Sequence, residues 1–415
     1  MTGLRNNLQL PGKPVLVAIW TRDLDGVALA GRLRIAHSIR DAFRERFDLR
    51  EITAKSAVQN PTPGRIAGSI LAYLTSLFRG QVLPFQSAIF ASHAELAAIE
   101  ARIPDDASYV YLDGVRLFPL LSHLRRHRPN LRLVVDFDDL MSRRFQQLFD
   151  RGEAPAPGYL AGNLHRRIRQ LLDWSIFGRL VLRHEAKTLA GLEKETLKLA
   201  DAIVLLSLAE TQQLQALATQ VPDARAEILN IGPSVAMQHT NAVLKPLRFI
   251  FVGTDRLTQN RLTIDYLIDL WRRLSPSASL TIYGQQVRDL PLPDGVSVAG
   301  YVDDLSVAYD DHSVLLTPSF LAGGVKTKVL ESFSYGRPVV ANPTTFEGMN
   351  LTGYPLVFDR ADDLEAFVLA PDDHLDEAAN AADVGAAYLI RSHAPDRTAA
   401  AWCKAMLGDS AGAVK

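Results

Sequence analysis

Cysteine is almost missing from this chain: Cys403 stands alone among 415 residues. No intramolecular disulfide can form and no thiolate cage can hold a structural metal, which points to a reducing compartment. Long hydrophobic runs are missing as well. No stretch reaches the roughly eighteen apolar residues of a membrane span, and the opening MTGLRNNLQLPGKPVLVAIW has too short an apolar run for a secretory signal. Nor is there an excess of charge of one sign, since 45 Lys and Arg face 46 Asp and Glu. That balance excludes a global field for nucleic acid, so any anion site must be local. His37, His93 and His123 show no spacing typical of a metal site. The expectation is a cytoplasmic protein with no nucleic-acid partner.

What is present is an ordinary globular composition, 47% apolar and 22% charged, in a chain long enough for two domains. Apolar β-branched runs recur at 14–20, 87–92, 108–112, 131–137, 202–207 and 226–231. Such runs read as strands buried on both faces. Between several of them lie helical patterns such as 31–47, where Leu33, Ala36, Ile39, Ala42, Phe43 and Phe47 fall at helical spacing. Alternation of strand and helix predicts a parallel sheet covered on both faces. The aperiodic segment 233–246 interrupts the pattern, which restarts at 247–253 and continues through 280–284, 296–300, 313–319, 337–342 and 355–359. The expected organisation is an α/β chain of two doubly wound, Rossmann-like domains, residues 1–240 and 241–387. A last helix is expected within 397–407.

In open parallel sheets ligands bind beyond the carboxyl ends of the strands, which directs attention to the loop after 313–319. There the sequence reads GGVKTKVLESFSYGRPVVAN, residues 323–342. Gly323 and Gly324 allow close backbone approach, so amides at the start of the next helix can converge on an anion. Lys326 and Lys328 suit phosphate oxygens, whereas Glu331 suits the hydroxyls of a sugar. A nucleoside diphosphate satisfies both demands, and a solvated amphipathic helix with a routine Lys and Glu pair is the plain alternative.

A second cluster ends the 131–137 strand: Asp136, Asp138 and Asp139, followed by Arg143 and Arg144. These aspartates either face a reaction centre or cap the next helix and pair with the arginines. The basic stretch from His165 to Lys187, with its interleaved apolar residues, and GSILAYLTSLFRG, residues 68–80, are candidates for contact with an anionic membrane surface.

The segment GGVKTKVLESFSYGRPVVANPTTFEGM resembles the donor-binding region of the group 1 glycosyltransferases, family 4 and its relatives. FVGTDRLTQNRLTIDYLIDLW is similar to the first strand and loop of that family's nucleotide domain, and KLADAIVLLSLAETQQL to the late part of its acceptor domain. The resemblance implies a GT-B fold, with a terminal segment, residues 388–415, packing back on the N-terminal domain. It implies transfer of a sugar from a nucleotide sugar to a saccharide or polyprenyl-linked saccharide, with retention, in bacterial polysaccharide synthesis.

The resemblance assigns Glu331 to the donor ribose and Lys326 or Lys328 to the diphosphate. Gly253, Arg256, Arg261, Gly323 and Gly324 join them on the donor side. Asp138 stands where relatives carry a histidine facing the donor sugar, and Asp139 and Arg143 lie toward the acceptor. Lys326, Arg256 and Asp138 are the expected catalytic set. No cofactor or metal is expected, because basic side chains would carry the diphosphate charge. Many relatives place a glutamate where this chain has Gly323. A nucleotide-sugar 2-epimerase and a non-catalytic nucleotide-sugar-binding partner are the alternatives of the same fold.

Overall fold

The computed structural model describes residues 12–25, 31–153, 175–238 and 242–408. Within them the first half builds strands β1 (Val15–Trp20), β2 (Asp48–Thr53), β3 (Tyr109–Asp113), β4 (Arg132–Asp138), β5 (Ala202–Leu205) and β6 (Glu227–Asn230). Its helices are α1 (Gly31–Arg46), α2 (Pro63–Phe78), α3 (Phe85–Ala88), α4 (His93–Glu100), α5 (Phe118–His127), α6 (Met141–Asp150), α7 (Ser175–Leu199) and α8 (Leu208–Ala218). The second half holds β7 (Arg248–Val252), α9 (Thr258–Leu274), β8 (Leu280–Tyr283), β9 (Val296–Gly300), β10 (Ser313–Leu316), α10 (Thr327–Ser334) and β11 (Val339–Val340). It closes with α11 (Pro343–Phe346), α12 (Ala361–Leu369), α13 (Leu375–His393) and α14 (Pro395–Leu407).

Every strand pairing within the two sheets is parallel. The first sheet runs β2-β1-β3-β4-β5-β6 and the second β11-β10-β7-β8-β9. In each order the direction of winding reverses once, between β1 and β3 and between β7 and β10, and such switch points open a crevice at the strands' carboxyl ends. The central strands are mostly apolar because helices cover both faces: Leu16 to Trp20 and Leu133 to Phe137 are all buried, Asp136 being the one charged residue among them.

Two expected strands differ. Residues 87–92 form the end of the short helix α3 and a turn, since Pro84 starts a helical turn there and the run is too short to cross the sheet. Residues 355–359 contribute only the isolated bridge Ala341 to Val357. β2 is a strand that apolar runs do not announce, because its sequence DLREIT lies at a sheet edge and is mostly half-exposed.

The chain crosses between the sheets twice. Residues 231–247 lead from β6 to β7, and the α13–α14 junction leads back. The crossings touch: Val235 N–H donates to His393 O at 2.9 Å, and the His393 ring lies 2.8 Å from Pro233 O. α13 buries Ala378, Ala381, Tyr388 and Leu389 in the second core. α14 puts Trp402, Cys403 and Met406 into the first core beside Phe43 of α1. Burial of Leu389 or Met406 contributes about 2 kcal/mol each, and of the alanines less.

Candidate active site in the interdomain cleft

The carboxyl ends of the two sheets face each other. β10 runs into the loop 317–326, which ends in α10. α10 buries Val329, Leu330 and Phe333 on one face, and Gly336, at φ +63°, ends it where any other residue would be strained. Lys326 is the residue before the first helical turn, and no acid occupies that turn. The amino end of α1 likewise carries no acid in its first turn. It comes close to α10, for a Cβ on Gly31 would lie 3.1 Å from Thr327 Oγ1. Two helix amino ends therefore open on one space, a pair of converging dipoles suited to an anion.

The two lysines differ in setting. Lys326 Nζ donates to the carbonyls of Gly323 at 2.6 Å and Leu321 at 3.1 Å. Burial and then the Arg144 charge push it down to about 8, against Asp139 and Glu210. Lys328 Nζ donates to Asn260 Oδ1 at 2.8 Å and lies 3.9 Å from the centre of the Phe251 ring. Burial and the neighbouring Lys326 push it down to about 7. Gly253, at the end of β7, leaves room for this arrangement. A Cβ there would stand 2.7 Å from Asn260 Nδ2 and 3.1 Å from Lys328 Nζ.

Glu331, one turn on, is ion-paired with Arg34 of α1 across the cleft. Burial raises its carboxyl and the Arg34 charge opposes the rise. Gly324 N–H donates to Glu210 Oε2 of α8 at 3.0 Å. Gly323 sits at φ +97°, and a Cβ on it would lie 2.8 Å from Glu210 Oε1. Glu210 thus fills the space a side chain at 323 would take. Burial and the adjacent Asp139 push its carboxyl up to about 7.

On the opposite wall Asp138 ends β4 at φ +66°, a conformation rare outside glycine, where the β4–β5 register shifts. Its amide donates to Asp136 Oδ1 at 3.0 Å, and its carboxylate, about one-third exposed, lies 3.4 Å from Arg32 Nη1. Asp139 is buried and paired with Arg144. Burial raises it, against Arg144. Arg143 pairs with Glu347 of the second half, and Arg261 with Glu153 of the first. Arg256 lies on an exposed stretch, bonded to Gln285 at 3.4 Å.

Among the sequence candidates, then, the fold gathers Gly253, Lys326, Lys328, Glu331, Gly323 and Gly324 at one end of the cleft, with Asp139 in electrostatic range of Lys326. Asp138 belongs to an adjoining cluster. Arg143 and Arg261 tie the halves together, and Arg256 bonds at the rim.

Sequence reasoning passed over Arg32, Arg34, Asp113 and Glu210. Arg32 is half-buried near the β1/β3 switch point, where its Nη2 donates to Asp113 at 3.0 Å and Asp136 at 2.6 Å. Asp113 also accepts from Thr21 N–H and Oγ1 and from Arg22. Burial pushes Asp113 up, but Arg22, Arg32 and the Thr21 bonds outweigh it and hold the carboxyl well below its ordinary range. In Asp136 burial wins and the carboxyl is raised despite Arg32. Arg32 and Arg34 stand in the first turn of α1, and the apolar spacing of that helix does not mark them. Glu210 lies in the segment KLADAIVLLSLAETQQL, whose strand and helix pattern gives no sign of its contact with Gly324.

Residues 246–382 match the family described as glycosyl transferases group 1. Sucrose-phosphate synthase from Thermosynechococcus elongatus is 14% identical, with a TM-score of 0.64 over 97% of this chain and 100% of its own. Anabaena Alr3699/HepE, solved in complex with UDP-glucose, is 10% identical, with a TM-score of 0.60 over 94% of this chain and 98% of its own. TarM is 14% identical with a TM-score of 0.50 over 75% of this chain, which spans only 57% of TarM's length. No curated protein matches the sequence at a significant level. The fold is GT-B. The match to the group 1 glycosyltransferases lies within the second half, residues 246–382.

Proposed function

We propose that the protein transfers a hexosyl group from a nucleoside diphosphate sugar to a saccharide or polyprenyl-linked saccharide acceptor, with retention, in bacterial polysaccharide assembly. The observation that carries this reading is the convergence of Lys326, Lys328 and two helix amino ends on one space, with Glu331 a turn away. The bond from the anomeric carbon to the β-phosphate oxygen breaks while a bond to the acceptor oxygen forms on the same face. The acceptor's proton passes to the departing phosphate. Lys326, Lys328 and the loop amides stabilise the negative charge of that leaving group, as preorganised dipoles do in a site closed to water. Arg256 reaches the diphosphate from the rim once the cleft is filled, and Glu331 exchanges Arg34 for the ribose hydroxyls. Glu210 stands ready for hydroxyls of the donor sugar, in the place a side chain at 323 would reach. Asp138 faces the anomeric centre and orients the acceptor hydroxyl; Asp139 and Arg143 hold the acceptor side. UDP-glucose, the ligand of the HepE structure, is the first donor to try.

The acceptor's lipid carrier is supported by the outer face of α2. Ile66, Ile70, Leu71, Leu74, Leu77 and Phe78 are all exposed there, Phe78 at 91%. Tyr73 of α2 packs on Phe85, which packs on His184 of α7, so this face adjoins exposed Phe177 and Leu180 with Arg179 and Arg183. Residues 165–174 of the basic stretch lie outside the described residues. No described helix is long and apolar enough to cross a bilayer. We read the surface as one that rests on the anionic inner face of the plasma membrane.

The test is thermal stabilisation by UDP, GDP, ADP and dTDP, followed by transfer assays with the matching sugars. One nucleotide should raise Tm, and failure of all four defeats the proposal. Asp138→Asn, which keeps a residue tolerant of positive φ, should bind that nucleotide normally while transfer falls about 100-fold or more. Isomerisation of free donor without acceptor would instead identify an epimerase.

A further inference from the structure

A cluster remote from the cleft has a different chemistry. His123 and His127 are four residues apart on α5 and share one face of the helix, where Glu100, the last residue of α4, meets them. Among the described residues these three are the group whose ligand atoms, one from each side chain, all lie within 4.8 Å of one another. His123 Nε2 lies 2.6 Å and His127 Nδ1 3.9 Å from the same oxygen, Glu100 Oε2. The two imidazole rings are 4.2 Å apart between centres. His123 is buried at 5% exposure, Glu100 is half-buried and His127 is exposed, so the cluster has a dry floor and an open mouth.

We propose that Glu100, His123 and His127 bind a divalent transition-metal ion, zinc by preference, which clips α4 to α5. Two neutral imidazoles and one carboxylate are a donor set that zinc takes readily, with the fourth position left to water or to the exposed His93. The His93 ring centre is 6.1 Å from that of His123. Small rotamer changes bring atoms already in mutual range to metal-bond distance, and no backbone need move. α4 leads into β3 and α5 into β4, so the site lies where the strands begin, at the opposite edge of the sheet from the cleft. Its role is therefore to stabilise the first domain and not to assist transfer. In the sequence the spacing is plain in SHLRRHR, which pairs His123 with His127 and not with His37 or His93.

The full chain without an affinity tag, stripped with chelator, would be titrated with zinc sulphate by calorimetry and its bound metal counted by mass spectrometry. About one zinc ion per chain is expected, with a rise in Tm. His127→Ala, at an exposed position that the fold tolerates, and Glu100→Gln should each weaken zinc at least about tenfold. His37→Ala, outside the cluster, should bind as the parent does. Sub-stoichiometric binding by the parent, or unchanged affinity in both His127→Ala and Glu100→Gln, overturns the proposal and leaves a simple histidine to glutamate hydrogen bond.

Discussion

Lys326 and Lys328 show how a side chain's setting prepares it for a ligand. Partly buried close to each other and pushed down to about 8 and about 7, both carry less than a full charge at pH 8.5 in the free protein. An arriving diphosphate supplies the negative charge that burial withheld and restores their protons. UDP binding at pH 8.5, measured by calorimetry in buffers of different ionisation enthalpy, should therefore take up more than about one proton per nucleotide. Affinity should fall as pH rises from 7 to 9. Binding without proton uptake would show that the lysines do not meet the phosphates. The residue types Lys, Lys and Glu were legible in the sequence because their spacing around a glycine loop is chemically telling. The pairing of Glu331 with Arg34 was not, since 297 residues separate them and no local pattern links the two.

Single elements carry their own logic, and α2 is the case where a helix contradicts the usual inward-facing stripe. Its fully buried residues are Ser69 and Ser76, and Ala72 and Tyr73 pack partly on the core, while Ile66, Ile70, Leu71, Leu74, Leu77 and Phe78 are exposed. Thr62 caps its amino end and Pro63 opens its first turn, which supports the helix locally while most of its large apolar side chains stay exposed. Replacing Ile70 and Leu74 together by Glu should cut co-sedimentation with phosphatidylglycerol vesicles at least about tenfold, because each removes apolar area from the lipid contact. Tm should hardly change, since neither side chain is in the core. A parent protein that ignores such vesicles would defeat the membrane reading. Helical periodicity announced α1 and α10 well. It misread residues 87–92, where a short apolar run is compatible with either strand or helix until its neighbours are known.

At the scale of the whole molecule the two halves are held by buried polar groups as well as by the crossing segments. Gln147 Oε1 accepts from Ala322 N–H at 2.8 Å, Leu208 N–H donates to Gly348 O at 3.0 Å, and Glu210 holds Gly324. Glu210 and Glu193, the latter raised by burial against bonds from Ser142, both stand near 7 instead of the ordinary 4.5. The folded chain therefore keeps protons that the unfolded chain gives up, and stability falls as pH climbs from about 4.5 to about 7. Glu193→Gln with Glu210→Gln should flatten the Tm profile across that window, as read by scanning calorimetry; an unchanged slope would place the linkage elsewhere. The sequence by itself determined two α/β halves with parallel sheets, most of their strands, and the glycine and lysine loop at a strand's end, because periodicity and turn chemistry are local. Only the tertiary structure decided that Arg32 joins Asp113, Asp136 and Asp138, that Glu210 fills the space at Gly323, and that α1 and α10 open on one point. Those meetings depend on how two switch points face each other, and contact across a cleft leaves no mark in the spacing of residues along a chain.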